Sequence, residues 1–321
     1  MLALQLRAMM QLRVKRTLRA STAIAMLMLA AFIAVGSTAP DWLLRAEFAR
    51  ERWHAGLHAR TRQVAGQRWA YVEAGEGPLL VLVHGYTGSK ENWFPLAGEL
   101  KTQFHVLAPD LPGWGESERQ TGADYGYVAQ SERLAQFIRI IGGGRPVALV
   151  GHSMGGGIVA LIAARHPELV SRLVLMDASG VHFRDNAFGL AVSRGEQPFA
   201  VADANGLHRY LGTVFANPPW VPWPIDAALI ARRRRDAGFE RDVLRAISGP
   251  DAFLPGREAI AIRAPTLLLW CRADRVIDAS AATLYATRIP LAHTLLMDGC
   301  DHMPMLERST ETANALREFL R

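Results

Sequence analysis

Apolar runs of four or five residues recur along the chain, and each closes on glycine, proline or a polar turn. The clearest are Leu79–Val83, Phe104–Ala108, Val147–Val150, Leu173–Met176, Thr266–Trp270 and Thr294–Met297. Continuous rather than alternating apolarity marks strands covered on both faces, as in a parallel sheet. Trp69–Ala74 differs: it alternates like a half-exposed strand and stops at Gly75-Glu76-Gly77. Helical patterns lie between the strands, among them Ser131–Ile141 and Pro167–Ser171. Strands separated by helices predict an α/β domain with a mostly parallel sheet flanked by helices.

Two regions depart from this rhythm. Residues 180–250 hold amphipathic helical pieces, the run Asn217-Pro218-Pro219-Trp220-Val221-Pro222-Trp223-Pro224 and an arginine knot at 232–235, without a buried strand. We read them as a helical lid inserted between two sheet strands. At the other end, basic residues before position 20 (Arg7, Arg13, Lys15, Arg16, Arg19) precede an apolar run of about 14 residues, Thr22–Val35. That length fits the core of a signal peptide better than a full span of ~20 residues. Ala34-Val35-Gly36 offers a small-x-small cleavage site, while Pro40 discourages cleavage after Ala39. Extended to Pro40, the run serves as an uncleaved anchor. Export is expected, with the chain anchored in the bacterial inner membrane facing the periplasm, or released as a secreted or periplasmic form after cleavage. The expected division is 1–40 as signal anchor or signal peptide, 41–64 as linker and helix, 65–179 with 251–321 as the core, and 180–250 as the lid.

Composition narrows the picture. Of 321 residues, 50% are hydrophobic and 21% charged, enough for a sizeable core and too little polarity for broad disorder. The net charge of +6 is partly local, in the N-terminal cluster and in the knot Arg232-Arg233-Arg234-Arg235. No basic stripe interleaved with aromatics appears, so nucleic acid is not an expected partner. The knot reads as a solvated helix face or, alternatively, as a contact for anionic headgroups. The two cysteines, Cys271 and Cys300, lack zinc-site spacing, and neither a metal nor an organic cofactor is expected.

The chemistry centres on Gly151-His152-Ser153-Met154-Gly155, directly after Val147–Val150 and before the small-residue stretch Gly155–Ala164. A serine hydroxyl is a poor nucleophile. It must be exposed, close to a base and close to donors for a developing oxyanion. A sharp strand-to-helix turn does this, and flanking glycines relieve its crowding. In a parallel sheet the partners belong in loops at the carboxyl ends of strands. Thr266–Trp270 is followed by a loop with Asp274, and Thr294–Met297 by a loop with His302. Their order, Ser153, Asp274, His302, is the order this nucleophile turn uses. His302 is then the expected base and Asp274 its orienter. Asp298, Asp301 and Asp177 compete for the acid role, and His152 for the base. Oxyanion donors are expected at the backbone N–H groups of Met154 and of Tyr86, in the loop His84-Gly85-Tyr86-Thr87-Gly88.

From residue 65 onward the chain resembles the α/β-hydrolase superfamily. The resemblance rests on His84-Gly85-Tyr86, Asp110-Leu111-Pro112-Gly113-Trp114-Gly115-Glu116-Ser117, Gly151–Gly155, Arg272-Ala273-Asp274 and His302. Within it, the chain is similar to membrane-anchored monoacylglycerol lipases and related bacterial lipases and esterases, through Lys90-Glu91-Asn92-Trp93, Pro218–Pro222 and Gly299–Pro304. This implies hydrolysis of carboxylic esters through an acyl-enzyme on Ser153. The substrates implied are monoacylglycerols or medium-chain esters, with Trp220 and Trp223 of the lid as candidate substrate contacts. Cys271 and Asp301 depart from the family, which commonly carries glycine at both places. If the strands that precede them are neighbours, Cys271 and Cys300 flank the acid and base loops. A disulfide between them and a pair of reduced thiols are both open readings. Carbon–carbon hydrolases and perhydrolases share the serine and the fold. A non-catalytic binding protein on this fold is the alternative from another class.

Overall fold

The computed structural model describes the backbone of residues 2–321, and side chains apart from those of residues 1–9, 11–14, 16 and 17. Arg7, Arg13 and Arg16 of the basic cluster therefore lie outside the described side chains. An eight-stranded sheet in the order β1-β2-β4-β3-β5-β6-β7-β8 forms the centre. Its strands are β1 (His58–Val64), β2 (Gln67–Ala74), β3 (Leu79–Val83), β4 (His105–Pro109), β5 (Val147–His152), β6 (Val170–Met176), β7 (Thr266–Cys271) and β8 (Ala292–Met297). The β1–β2 and β2–β4 pairs are antiparallel, and every other neighbouring pair is parallel. Leu80, Val81, Leu82 and Val83 of β3 are fully buried, as are Leu149 and Val150 of β5, so these unbroken apolar runs mark strands covered on both faces; Thr294–Met297 in β8 does not, being part of an edge strand that is exposed or half-buried.

Three further expectations about elements change. Residues 58–64, read as linker, are a strand: six of their seven residues are exposed, so an edge strand with polar residues gives no alternation to read. Trp69–Val72 of β2 is buried rather than half-exposed. Here the helix Tyr127–Ile141 covers the outer face, with Phe137 stacked on Trp69 at 4.5 Å and edge-on to Tyr71 at 5.8 Å. The third concerns 167–171, where only one 3₁₀ turn forms, Pro167–Leu169, before β6 begins.

The helices that matter are α1 (Leu2–Thr38), α2 (Pro40–Ala55), α3 (Phe94–Leu100), α4 (Tyr127–Ile141), α5 (Met154–Arg165), α6 (Ala187–Ser193), α7 (Ala204–Val214) and α8 (Ile225–Ile247). Within α1, Leu18–Thr38 is 21 residues long with a mean hydropathy of 2.0, exposed except at Val35 and Gly36, and long and apolar enough to cross a membrane. The stretch between β6 and β7, 177–265, is the insertion, and α6 to α8 lie inside it. On the opposite side of Ser153, α5 presses on the sheet through its glycines. A Cβ on Gly155 would stand 2.4 Å from the His84 carbonyl oxygen, so no side chain fits there. Cys271 and Cys300 are joined by a disulfide with Cα atoms 5.5 Å apart.

Candidate active site

Ser153 sits between β5 and α5 with φ 53° and ψ −122°, a left-handed conformation costly for any residue with a Cβ. The surroundings hold it there. Its N–H donates to the Met176 carbonyl at 3.0 Å, and its own carbonyl accepts from Ser179 at 3.1 Å. Strain kept at one residue by its neighbours is a mark of a functional turn.

The expected partners converge from the next strands. His302 donates from Nδ1 to Asp274 Oδ2 at 2.9 Å, and both side chains are buried. The other oxygen of Asp274 accepts the N–H groups of Val276 at 2.7 Å and Ile277 at 2.9 Å. Three of its four lone-pair directions are thus used by one histidine and two amides, which fixes the carboxylate's rotation. Because Nδ1 carries the proton toward Asp274, Nε2 of His302 is left as the basic nitrogen. Its backbone is held as well: the His302 N–H donates to the Val214 carbonyl at 3.1 Å, and its carbonyl accepts from His152 Nε2 at 2.7 Å. Burial, with the nearby His302, depresses the pKa of His152 far below the usual histidine range. His152 is therefore a neutral prop for the His302 loop.

The rival acids are engaged elsewhere. Asp298 is exposed and pairs with Arg272 at 2.9 Å. Asp301 is bound to the Arg275 guanidinium and to its N–H at 2.9 Å. Asp177, fully buried after β6, accepts the Cys271 N–H at 2.8 Å, and burial together with the charge of Asp274 pushes its pKa well up.

The loop after β3 runs against Ser153. A Cβ on Gly85 would lie 2.8 Å from Ser153 Cβ, so only glycine lets the backbone pass. His84 braces this loop: its Nδ1–H donates to the Gly85 carbonyl at 2.8 Å, and its Nε2 accepts the Leu111 N–H at 3.0 Å. The Tyr86 N–H has no acceptor among the described residues. Met154 opens α5, where an N–H has no intrahelical partner and the helix dipole is positive. Tyr86, Ser153 and Met154 all line one cavity of about 230 Å³.

That cavity is mostly apolar, and sequence reasoning missed its walls. Phe183, Phe188, Val192 and Phe199 line it from the first part of the insertion, and Leu244 and Ile247 from α8. Their signal was weak, since isolated aromatics in irregular segments carry no period. Trp220 and Trp223 do not line it. Trp220 is 85% exposed, and Trp223 lies edge-on to Phe32 of α1 at 5.8 Å. Prolines on both sides stiffen their loop, which runs outward to the end of α1 instead of inward over Ser153.

Residues 78–309 match the model of the α/β-hydrolase fold family. The chain belongs to the α/β-hydrolase family. This hydrolase is 29% identical to lipase 1 of Psychrobacter immobilis over 273 residues, covering 84% of this chain and 86% of that one. It is 26% identical to the monoacylglycerol lipase ABHD6 of Homo sapiens over 303 residues, covering 90% of each. Among solved structures, that of a bacterial membrane phospholipase A superposes with a TM-score of 0.84 at 36% identity, covering 92% of this hydrolase and 96% of the other chain.

Proposed function

We propose that this hydrolase cleaves medium-chain acyl esters, monoacylglycerols foremost, through an acyl-enzyme on Ser153. That it acts on carboxylic esters rests on the lipases that align along most of its length. The observation that supports the mechanism is the buried His302–Asp274 hydrogen bond at 2.9 Å beside a serine held at positive φ.

In this reading, His302 Nε2 takes the Ser153 proton as Oγ attacks the ester carbonyl. The Tyr86 and Met154 N–H groups bind the oxyanion. His302 then returns the proton to the departing alcohol, and a water attacks the acyl-serine by the same route. Asp274 keeps Nδ1 protonated and offsets the imidazolium charge that appears in each step. The apolar cavity takes the acyl chain, so no charged headgroup is needed for binding there. Residues 180–250 act as the lid over the core of 65–179 and 251–321, to which β1 adds an edge strand. Leu18–Thr38 anchors the chain in the inner membrane with the catalytic part in the periplasm, or is removed there after export.

The test is a hydrolysis series from acetyl to long-chain esters, with monoacylglycerols, for the wild type and Ser153→Ala. The expected result is a maximum at medium chain length and no turnover above background in the variant. Undiminished turnover by Ser153→Ala would end the mechanism. Fractionation of cells making the full chain separates the anchored from the released form.

A further inference from the structure

The two tryptophans excluded from the cavity lie where the lid meets α1. Trp223 packs edge-on to Phe32 at 5.8 Å. Gly36 lies beneath it: a Cβ there would fall 2.6 Å from Trp223 Cη2 and 3.1 Å from Pro224 Cβ. The lid loop is thus seated on the last turns of the apolar helix. Those turns are the end of a 21-residue apolar stretch. At 1.5 Å per residue it is about 32 Å long, close to the ~30 Å of a hydrocarbon core. If Leu18–Thr38 spans, its end lies at the boundary with the headgroups, and Trp223 packs from Phe32 to Gly36, about 9 to 3 Å inside that end.

The loop has the composition for that place. From Phe215 to Ile225 no side chain is charged, and the run holds two tryptophans and four prolines. Trp220 is 85% exposed, and Trp42 of α2, just past the span, is 63% exposed. Exposed indoles grouped beside a span are what an aromatic belt at a membrane interface requires. The loop is also tied to the site. It follows Val214, whose carbonyl accepts the His302 N–H at 3.1 Å, and Arg275 donates to the Phe215 carbonyl at 2.7 Å.

We infer that the loop 215–225 is a membrane-seating surface, inserting Trp220 beside Trp223 and α1 at the boundary of headgroups and acyl chains. This rests on the reading of α1 as an anchor. The partner is the bilayer itself. Its effect is to hold the lid and the His302 loop at the surface where single-chain lipid esters partition.

The full chain, reconstituted into phosphatidylcholine vesicles with bromine high on the acyl chains, provides the test. Flotation with the vesicles is scored first. Bromine is expected to quench tryptophan emission, and Trp220→Phe is expected to lose a measurable share of that quenching. Trp220→Ser is expected to lower turnover of vesicle-borne monoacylglycerol roughly tenfold and to leave a soluble butyrate ester unaffected. Floating chains whose Trp220 is not quenched overturn the seating surface and leave the anchor standing. Equal loss on both substrates also overturns it. Chains that do not float overturn both readings.

Discussion

Asp177 accepts the Cys271 N–H at 2.8 Å, so the residue after β6 secures the end of β7, from which the turn to Asp274 departs. Burial and the adjacent Asp274 charge raise its pKa, so it serves best as a neutral acid. A folded-state pKa above the unfolded value adds stability at low pH that is lost as pH rises through the folded pKa. Asp177→Asn keeps a neutral side chain of the same shape. It is expected to retain activity and to remove the alkaline loss. Asp177→Leu leaves the Cys271 N–H without an acceptor and is expected to cost about 1–3 kcal/mol. Denaturant unfolding of both variants across pH separates the two effects.

Asp274 carries both an orienting and a structural load, because one oxygen faces His302 and the other takes two backbone amides. Asp274→Asn retains the carbonyl oxygen for those amides and presents NH₂ to His302, which reverses the tautomer. A fall in kcat on the order of 10³ to 10⁴, with little change in KM, is expected. Steady-state kinetics with a soluble ester checks it, and thermal denaturation close to wild type shows that the turn survives.

Much of this arrangement was legible from residue types and order. The apolar runs gave six strands, five of them because burial on both faces leaves an unmistakable composition; the sixth, β8, is an exposed edge strand that still carries an apolar run. The positions of Asp274 and His302 followed from the strands before them. What failed had physical reasons. β1 is an edge strand whose residues face water, so no hydrophobic period marks it. The cavity walls come from segments such as 181–199, where helix is short and the aromatics are scattered. Trp220 and Trp223 have the size and polarity to line an acyl site or a membrane surface, and composition does not separate these. Only the path of the proline-stiffened loop to α1 does so.

The Cys271–Cys300 disulfide closes a segment of 29 residues and joins the ends of the two loops that supply Asp274 and His302. Loop-closure entropy for this length is worth about 3–4 kcal/mol. Cys271→Ser with Cys300→Ser, or reduction of the wild type, is expected to lower unfolding free energy by that order. The loss in kcat at moderate temperature is expected to be smaller, since His302 remains bonded to Val214, Asp274 and His152. Urea unfolding with and without reductant measures the first effect, and ester turnover in the same samples the second. No change in stability on verified reduction would refute the role given to the bond.

Acid stability depends on His84. Its Nε2 accepts the Leu111 N–H, so protonation would place two donors face to face, and burial lowers its pKa to about 4. The folded pKa lies below the unfolded one, so the unfolded chain binds more protons between about pH 6.5 and 4. Stability is full above that window and is lost as pH falls through it, by about 3 kcal/mol for this one group. His84→Gln is expected to start less stable at neutral pH and to show a shallower loss between pH 6.5 and 4. Parallel pH–stability curves for the two proteins would show that His84 is not the titrating group.

If the cavity takes the acyl chain, as proposed, it sets the acyl length, and Val192 offers a direct way to change it. This residue of α6 lines the same apolar space as Ser153, within a volume of about 230 Å³. Each buried methylene contributes about 0.8 kcal/mol, so every carbon shut out lowers kcat/KM by about fourfold. Val192→Trp fills part of that space without touching Asp274 or His302. The variant is expected to keep its turnover of acetyl and butyryl esters and to lose roughly tenfold or more on octanoyl and decanoyl esters. A chain-length series of p-nitrophenyl esters gives the comparison in one assay. If the loss were equal at every length, Val192 would be positioning the machinery, and the acyl chain would bind elsewhere.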